Sequence, residues 1–266
     1  MGFNVITNVS NAKVKQICAY VAKSKERKKD RIFVVEGRKM FEEAPLELIC
    51  DVFVTEGFLH KISSKNVLEK LNKTRYELVS ETVFSKMSDT KTPQGILCTV
   101  RFMEYDLDKL LQIEHPLFLL LEEMQDPGNL GTVVRTGEGA GVDAVFLTND
   151  SVDIYNPKTI RATMGSIFRM PILYIEETAK ILSTFSKYGV KTYAAHLDDS
   201  VLYTEPDYSV GTAFLIGNEG NGLKKTTADA ADQYIKIPMS GSVESLNASI
   251  ATSLLIYEAA RQRNFE

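Results

Sequence analysis

Three polar segments of the chain combine residue types that suit chemistry with turn residues that could place them at a binding site. The first spans 125–136, where Asp-Pro-Gly-Asn is typical of a turn that leads into a helix. Asn129 could cap this helix, and Arg135 would lie within its first two turns. The Arg135 guanidinium would then either point into a site or pair on the surface with Glu122 or Glu138.

The second segment, 217–223, has three glycines within six residues, which lets a backbone approach a ligand closely. Its pattern is G-x-E-G-x-G, with Glu219 inside, and differs from the G-x-G-x-x-G of dinucleotide-binding folds. Since a carboxylate does not suit a phosphate cradle, the segment favours a cationic or neutral polar ligand such as S-adenosylmethionine. The pattern therefore argues against a nucleotide-dependent oxidoreductase.

The third segment, 238–247, is small and polar and precedes the last predicted helix. Ser242 or Ser245 is expected to be the N-cap of that helix. Asparagine is unfavourable early in a helix, so Asn247 indicates a specific task for its side chain. The residues expected on the inner face of the helix are Leu246, Ile250, Ala251, Leu254 and Leu255.

The predicted elements of the second half explain how these segments could meet. Residues 117–121 form a continuous apolar run, which is typical of a strand buried on both faces. Strands separated by helices indicate an α/β domain with a parallel sheet. The predicted strands are 117–121, 144–147, 172–175, 191–195, 212–216 and 233–237, and the helices are 129–140, 159–165, 178–188 and 244–263. Because ligands of such sheets bind beyond the carboxyl ends of the strands, we expect the three segments to form one site.

The first half predicts a smaller α/β domain with a distinct charge. We place this domain at 1–101, a charged linker at 102–115 and the second domain at 116–266. The predicted helices are 9–22, 38–44, 67–71 and 82–87, and the strands are 32–35, 51–55, 76–79 and 95–100. Segment 11–39 carries a net charge of +7, although the whole chain carries −4. This asymmetry is typical either of a basic face that meets phosphates or of a solvated helix end.

Several other classes of protein are disfavoured. Cys18, Cys50 and Cys98 are far apart, and the three histidines are isolated, so neither a disulfide framework nor a metal site is expected. No apolar run is long enough to span a bilayer, and the first residues do not resemble a signal peptide. We therefore expect a cytoplasmic protein.

In their order and spacing, the three segments resemble the motifs of SpoU/TrmH RNA 2′-O-ribose methyltransferases. The resemblance rests on Asn129 with Arg135-Thr136, on 216–222, and on 237–239 with 245–249. Residues 156–171 resemble a further family stretch between the first two motifs. Residues 28–37 and 92–96 resemble the L30e-like substrate-binding domain that many members carry. One departure is Ala248, where many members have valine.

The resemblance implies an α/β catalytic domain that forms a deep trefoil knot, binds S-adenosylmethionine and usually dimerises. Matched position by position, it implies polar active-site roles for Asn129, Arg135, Glu219, Ser245 and Asn247. The positions that it matches to cofactor contacts are Ile216, Gly217, Ile237, Met239 and Leu246. No metal is implied.

The resemblance also gives the basic segment and Arg135 their expected tasks. Since a guanidinium is hard to deprotonate, we expect Arg135 to stabilise a developing alkoxide and to hold the adjacent phosphate. The residues expected to bind RNA phosphates are Lys23, Lys25, Arg27, Lys28, Lys29 and Arg31. Ribosomal RNA of the 23S type is the preferred substrate. A transfer RNA methyltransferase and a catalytically silent RNA-binding or ribosome-assembly factor are the alternatives.

Overall fold

The computed structural model describes residues 5–196, 200–218, 220–242 and 245–264. Contacts between residues divide the chain into two units. One unit holds the described residues up to Met103 together with 153–168, and the other holds 104–152 and the described residues from Arg169 onward. Within the described part of the chain, no helix is both long and apolar enough to cross a membrane.

Helices and strands alternate along most of the chain. In chain order the helices are α1 (Ala12–Ala22), α2 (Ser24–Asp30), α3 (Arg38–Glu43), α4 (Glu56–Lys61), α5 (Lys65–Lys73), α6 (Glu81–Met87), α7 (Leu107–Leu111), α8 (Pro127–Gly139), α9 (Pro157–Thr163), α10 (Thr178–Lys187), α11 (Lys225–Ala228) and α12 (Ala248–Gln262). The strands are β1 (Ile32–Glu36), β2 (Ile49–Val54), β3 (Tyr76–Leu78), β4 (Ile96–Arg101), β5 (Leu117–Leu121), β6 (Ala144–Thr148), β7 (Ile172–Ile175), β8 (Lys191–Ala195), β9 (Val201–Leu202), β10 (Thr212–Ile216) and β11 (Gln233–Lys236).

The first unit is built on a sheet with the strand order β1-β4-β2-β3. Strand β4 runs antiparallel to β1 and to β2, whereas β3 runs parallel to β2. Helices α1 and α6 cover one face, and their apolar side chains bury Val34, Phe53 and Leu97 of the sheet. The basic stretch that followed the first predicted helix is itself helical, as α2, and it ends at Arg31 in the left-handed region with φ 55°.

Segment 153–168 lies between β6 and β7 in sequence but packs within the first unit. Arg27 is 3% exposed, and its guanidinium bonds the Asp153 carboxylate at 2.6 and 3.0 Å. The same side chain donates to the carbonyl oxygens of Tyr20 and Val21. The Tyr155 ring stacks on Phe102, with centroids 3.8 Å apart. The structure therefore corrects the RNA-binding assignment of Arg27, because a buried guanidinium with these partners is not available to a phosphate.

The second unit is built on a parallel sheet with the strand order β7-β6-β5-β10-β8-β11-β9 among the described residues. All five side chains of β5 are buried, as its continuous apolar run predicts. The sequence order of the strands changes direction between β5 and β10, which pair in the middle of the sheet. The carboxyl ends of β5, β10, β8 and β11 consequently lie at one edge, where ligands of parallel sheets bind.

The buried face of α12 differs from the predicted one. Ile250 is 51% exposed and Leu254 is 38% exposed, although both were expected inside. The buried face consists mostly of small residues and threonine, together with Leu255, Ile256 and Glu258. Helix α12 packs along α8, and small side chains allow two helices to approach closely. The prediction was wrong because it placed the most apolar residues inside. The close approach of α12 to α8 instead buries the face with small side chains.

Candidate active site

A pocket of about 430 Å³ lies at the carboxyl ends of β8, β10 and β11. Its wall comes from the ends of these strands, from the loop after β10, and from the segment that leads into α12. The described lining residues are Ala195, His196, Ile216, Gly217, Asn218, Gly220, Asn221, Gly222, Leu223, Ile235, Lys236, Ile237, Met239, Ser245, Leu246, Ala248, Ala251 and Leu255.

In the loop 217–223, called the glycine loop below, the described residues on either side of position 219 lie close together. Asn218 and Gly222 exchange backbone hydrogen bonds of 3.1 and 2.9 Å. The Asn218 side-chain oxygen accepts from the backbone of Gly220 and Asn221, at 2.7 and 3.3 Å. A Cβ at Gly217 would lie 2.0 Å from the carbonyl carbon of Gly222, so no side chain fits there. The sequence predicted a close approach of backbone to ligand, and the structure shows in addition a close approach of the loop to itself.

All five predicted cofactor residues line this pocket: Ile216, Gly217, Ile237, Met239 and Leu246. Ser245, predicted among the polar active-site residues, lines it as well. Sequence reasoning missed His196, which follows β8 and whose ring lies against Tyr234 with centroids 4.8 Å apart. The signal was available, because β8 was predicted and its carboxyl end had to lie at the same edge of the sheet.

Asn129 and Asn247 meet beside the pocket, and with Ser249 they form what we call the amide cluster. The Asn247 side-chain nitrogen donates to the Asn129 Oδ1 at 3.1 Å. The Asn247 Oδ1 accepts from the backbone of Ser249 and Ile250 and from the Ser249 hydroxyl, the last at 2.6 Å. These helix donors fix the direction of the Asn247 amide, so its nitrogen must face Asn129.

The capping residues of both helices differ from the expected ones. Asp126, rather than Asn129, caps α8 by accepting from the Asn129 backbone nitrogen at 2.8 Å. Asn247, rather than Ser242 or Ser245, caps α12. Because Asp126 caps α8, the Asn129 side chain contacts Asn247 instead. The Asn247 side chain both caps α12 and donates to the side-chain amide of Asn129.

Arg135 lies on α8 and is exposed. Within the described residues it has no hydrogen bond or ion pair, and it does not line the pocket. The two carboxylates considered as surface partners are engaged elsewhere, Glu138 with Arg169 and Glu122 with Lys224 and Thr227. Glu219, the remaining predicted catalytic residue, lies outside the described residues.

The pocket fits S-adenosylmethionine in size and in chemistry. Its volume lies within the range of about 300–1,000 Å³ that is typical of small-molecule sites. Ile216, Ile237 and Leu246 offer apolar surface to a flat base, and the turning backbone of the glycine loop offers polar groups to a ribose or an amino-acid moiety.

Comparisons with known proteins agree with this geometry. A family model described as SpoU rRNA Methylase family matches residues 116–257, and one described as MRM3-like substrate binding domain matches 11–98. The chain is 32% identical over 252 residues to 23S rRNA (guanosine(2553)-2'-O)-methyltransferase RlmP of Bacillus subtilis (strain 168), covering 95% of this chain and 97% of that protein.

Two solved structures extend the likeness to the whole fold. An AdoMet-bound rRNA methyltransferase from Sinorhizobium meliloti is 29% identical with a TM-score of 0.82, covering 97% of this chain and 98% of that one. An RNA 2'-O ribose methyltransferase is also 29% identical with a TM-score of 0.82, covering 98% and 100%. The predicted fold class, enzyme class and cofactor are thus confirmed. The chain belongs to the SpoU rRNA methylase family.

Proposed function

We propose that this protein methylates a ribose 2′-hydroxyl in ribosomal RNA, with S-adenosylmethionine held in the pocket at the carboxyl ends of β8, β10 and β11. The observation that carries this proposal is the convergence of all five predicted cofactor positions on one pocket that adjoins the amide cluster. The bound cofactor supplies a methyl group on a sulfonium, which is electrophilic enough to be attacked by oxygen. The residues of the chain must bring the hydroxyl to it and stabilise the charge that develops.

Arg135 and the amide cluster are the groups suited to that task. As the ribose oxygen bonds to the methyl carbon, the carbon–sulfur bond breaks and the hydroxyl proton passes to water. A guanidinium stabilises the negative charge on that oxygen without changing its own protonation. Arg135 is exposed and has no side-chain partner in the described part of the chain, so it can take an RNA phosphate or hydroxyl as its partner. Asn129 is held by Asn247, which makes its amide a fixed group for orienting the ribose. Glu219 and Ser245 complete the proposed polar set.

The assignment of ribosomal RNA as the substrate is supported by the relatives. It is tested by measuring the transfer of a labelled methyl group from S-adenosylmethionine to RNA. RlmP acts on 23S rRNA, and the match of residues 11–98 is to a substrate-binding domain. We expect tritium from labelled S-adenosylmethionine to enter ribosomal RNA, and digestion to release a 2′-O-methylated nucleoside. Label in transfer RNA would favour the first alternative. Cofactor binding without transfer to any RNA would favour a silent assembly factor.

Residues 1–101 form the proposed RNA-binding domain, and 116–266 the proposed methyltransferase domain. The basic residues around α2 that remain exposed are Lys23, Lys25, Lys28, Lys29 and Arg31, which we call the basic helix set. Exposed cations on one short helix and its ends are suited to successive phosphates. We propose that this set binds RNA.

The double variant Lys28→Gln/Lys29→Gln is expected to weaken RNA binding and to reduce its salt dependence. Each lost phosphate contact lowers the slope of log affinity against log salt by about 1. Fluorescence anisotropy with a ribosomal RNA fragment at several salt concentrations measures both quantities. An unchanged slope would contradict the assignment.

Arg27→Gln is the matched comparison, because it removes a neighbouring cation that is buried. Breaking one partner of a buried ion pair costs about 3–5 kcal/mol, so the melting temperature should fall. Below that temperature its salt slope should equal that of the wild type.

A second copy of the chain is the proposed cover for the exposed apolar face of α12. Ile250, Leu254 and Tyr257 are 51%, 38% and 44% exposed, and with Tyr203 they line an open groove. Apolar patches of this kind are typical of protein interfaces. Leu254→Glu is expected to shift the protein from dimer to monomer in sedimentation, whereas Lys187→Glu on α10 should not. A wild-type monomer at micromolar concentration would contradict the proposal.

The trefoil knot is proposed on the strand order of the second unit. Strand β11 follows β10 in sequence but pairs with β8, and α12 then returns to α8. A segment that returns to an earlier helix in this way can be threaded through a loop formed before it. An experimental structure with continuous density for residues 196–264 tests the proposal. A C-terminal segment that does not pass through a loop of the chain would contradict it.

A further inference from the structure

A buried carboxylate lies at the carboxyl end of the central strand β5, at the same edge of the sheet as the pocket. Glu122 directly follows β5 and is 2% exposed. Its backbone nitrogen donates to the Ile216 carbonyl oxygen at 2.8 Å, which continues the pairing of β5 with β10. Its Oε2 accepts from the Lys224 backbone nitrogen at 2.7 Å, and its Oε1 accepts from the Thr227 hydroxyl at 2.5 Å.

These bonds hold the chain where it leaves the glycine loop. Lys224 follows the last residue of that loop, and Thr227 is 4% exposed within α11. The start of the loop is held from the same place, because the Asn218 Nδ2 donates to the Glu123 carbonyl oxygen at 2.9 Å. Both ends of the glycine loop are therefore tied to the two residues that follow β5.

Packing alone does not explain a buried carboxylate at position 122, because an apolar side chain would fill the same space without the free-energy cost of burying a charge. Burying its charge is unfavourable unless both oxygens accept hydrogen bonds, and here each oxygen has a donor more than 100 residues away in sequence. The neighbouring Glu123 shows the contrast. Its side chain is 29% exposed and forms a surface ion pair with the Lys224 ammonium, and such pairs contribute little.

We propose that Glu122 is a positioning residue of the cofactor site, which sets the affinity for S-adenosylmethionine by fixing the shape of the glycine loop. This rests on the proposed function, since it takes the pocket as the cofactor site. Asn218, Gly222 and Leu223 line that pocket, and their positions depend on where the chain is held at Lys224. Glu122 itself does not line the pocket and touches no reacting atom.

Glu122→Gln tests this with minimal change of shape. An amide offers one acceptor oxygen, so its NH2 must face either the Lys224 N–H or a Thr227 hydroxyl that now has to accept. We expect the dissociation constant for S-adenosylmethionine, measured by calorimetry on the full-length chain, to rise about 10-fold. The Michaelis constant for the cofactor should rise with it, while kcat at saturating cofactor and the Michaelis constant for RNA stay within about 3-fold of wild type.

Two further variants sharpen the result. Glu123→Gln removes the adjacent carboxylate, which is partly exposed, and its cofactor affinity should stay within about 2-fold of wild type. Thr227→Val removes one donor and leaves the Lys224 bond, so it should weaken binding by about 3-fold. If Glu122→Gln does not fold, Thr227→Val decides the question.

An unchanged cofactor affinity in the folded Glu122→Gln or Thr227→Val protein would overturn the inference and leave the proposed function intact. A loss confined to kcat would overturn it as well, since that pattern belongs to a residue acting on the reaction. Wild-type protein that fails to bind S-adenosylmethionine would overturn the assignment of the pocket and, with it, this inference.

Discussion

Replacing Arg135 with alanine is expected to reduce methyl transfer by at least about 100-fold while cofactor affinity stays near wild type. The side chain is exposed on α8, lies outside the pocket lining and has no side-chain partner among the described residues. Its removal therefore breaks no side-chain hydrogen bond or ion pair among the described residues. What it removes is the positive charge available to the developing alkoxide and the neighbouring phosphate.

Calorimetry with S-adenosylmethionine and a tritium-transfer assay on ribosomal RNA measure the two quantities separately. Arg135→Lys should recover part of the rate, because it keeps the charge but loses the planar fork of donors. Lys187→Ala, on a helix that contributes nothing to the described pocket lining, is the control and should transfer methyl as wild type does. Near wild-type turnover of Arg135→Ala would end the proposed role.

Gly217→Ala is expected to weaken cofactor binding, whereas Arg135→Ala is expected to leave cofactor binding near wild type. The added Cβ would lie 2.0 Å from the Gly222 carbonyl carbon and 2.1 Å from the Leu223 nitrogen. Both are backbone atoms of the glycine loop, so the loop itself must move. We expect the dissociation constant for S-adenosylmethionine to rise at least about 10-fold, and the melting temperature to fall by on the order of 5 °C.

Gly220→Ala is the matched variant in the same loop. Its Cβ would meet the Asn218 Oδ1 at 3.3 Å, which requires a displacement of only a few tenths of an ångström. Its effect on cofactor affinity, measured by the same calorimetry, should be several-fold smaller than that of Gly217→Ala. Equal effects of the two substitutions would show that the loop responds to any side chain, and would contradict the specific role given to Gly217.

The sheet and the pocket at its edge were predictable because their signals are local in sequence. The continuous apolar run of β5 and the alternation that follows indicate a parallel sheet, whose strands carry their ligand-binding segments at their carboxyl ends. Gly217 and Ile237 were expected at this edge for this reason, together with the family resemblance, and both line the pocket there. His196 follows a predicted strand but was missed, because no glycine or cap residue marks the end of β8.

The parts that failed depend on which elements pack together, and a single sequence does not contain that information. Ile250 and Leu254 were expected on the inner face of α12, but the face that packs on α8 consists mostly of small residues. Arg27 belonged by type and spacing to a basic cluster, yet Asp153, far along the chain, turns it into a buried ion pair. The partners of Glu122 are likewise too distant in sequence to be recognised.

The most direct test of the central claim is to map 2′-O-methyl marks in the RNA of a strain that lacks this protein. One ribosomal RNA position should lose its mark, and the mark should return with the wild-type protein but not with Arg135→Ala. Ribosomal RNA whose 2′-O-methyl marks are all unchanged by the deletion would contradict the claim.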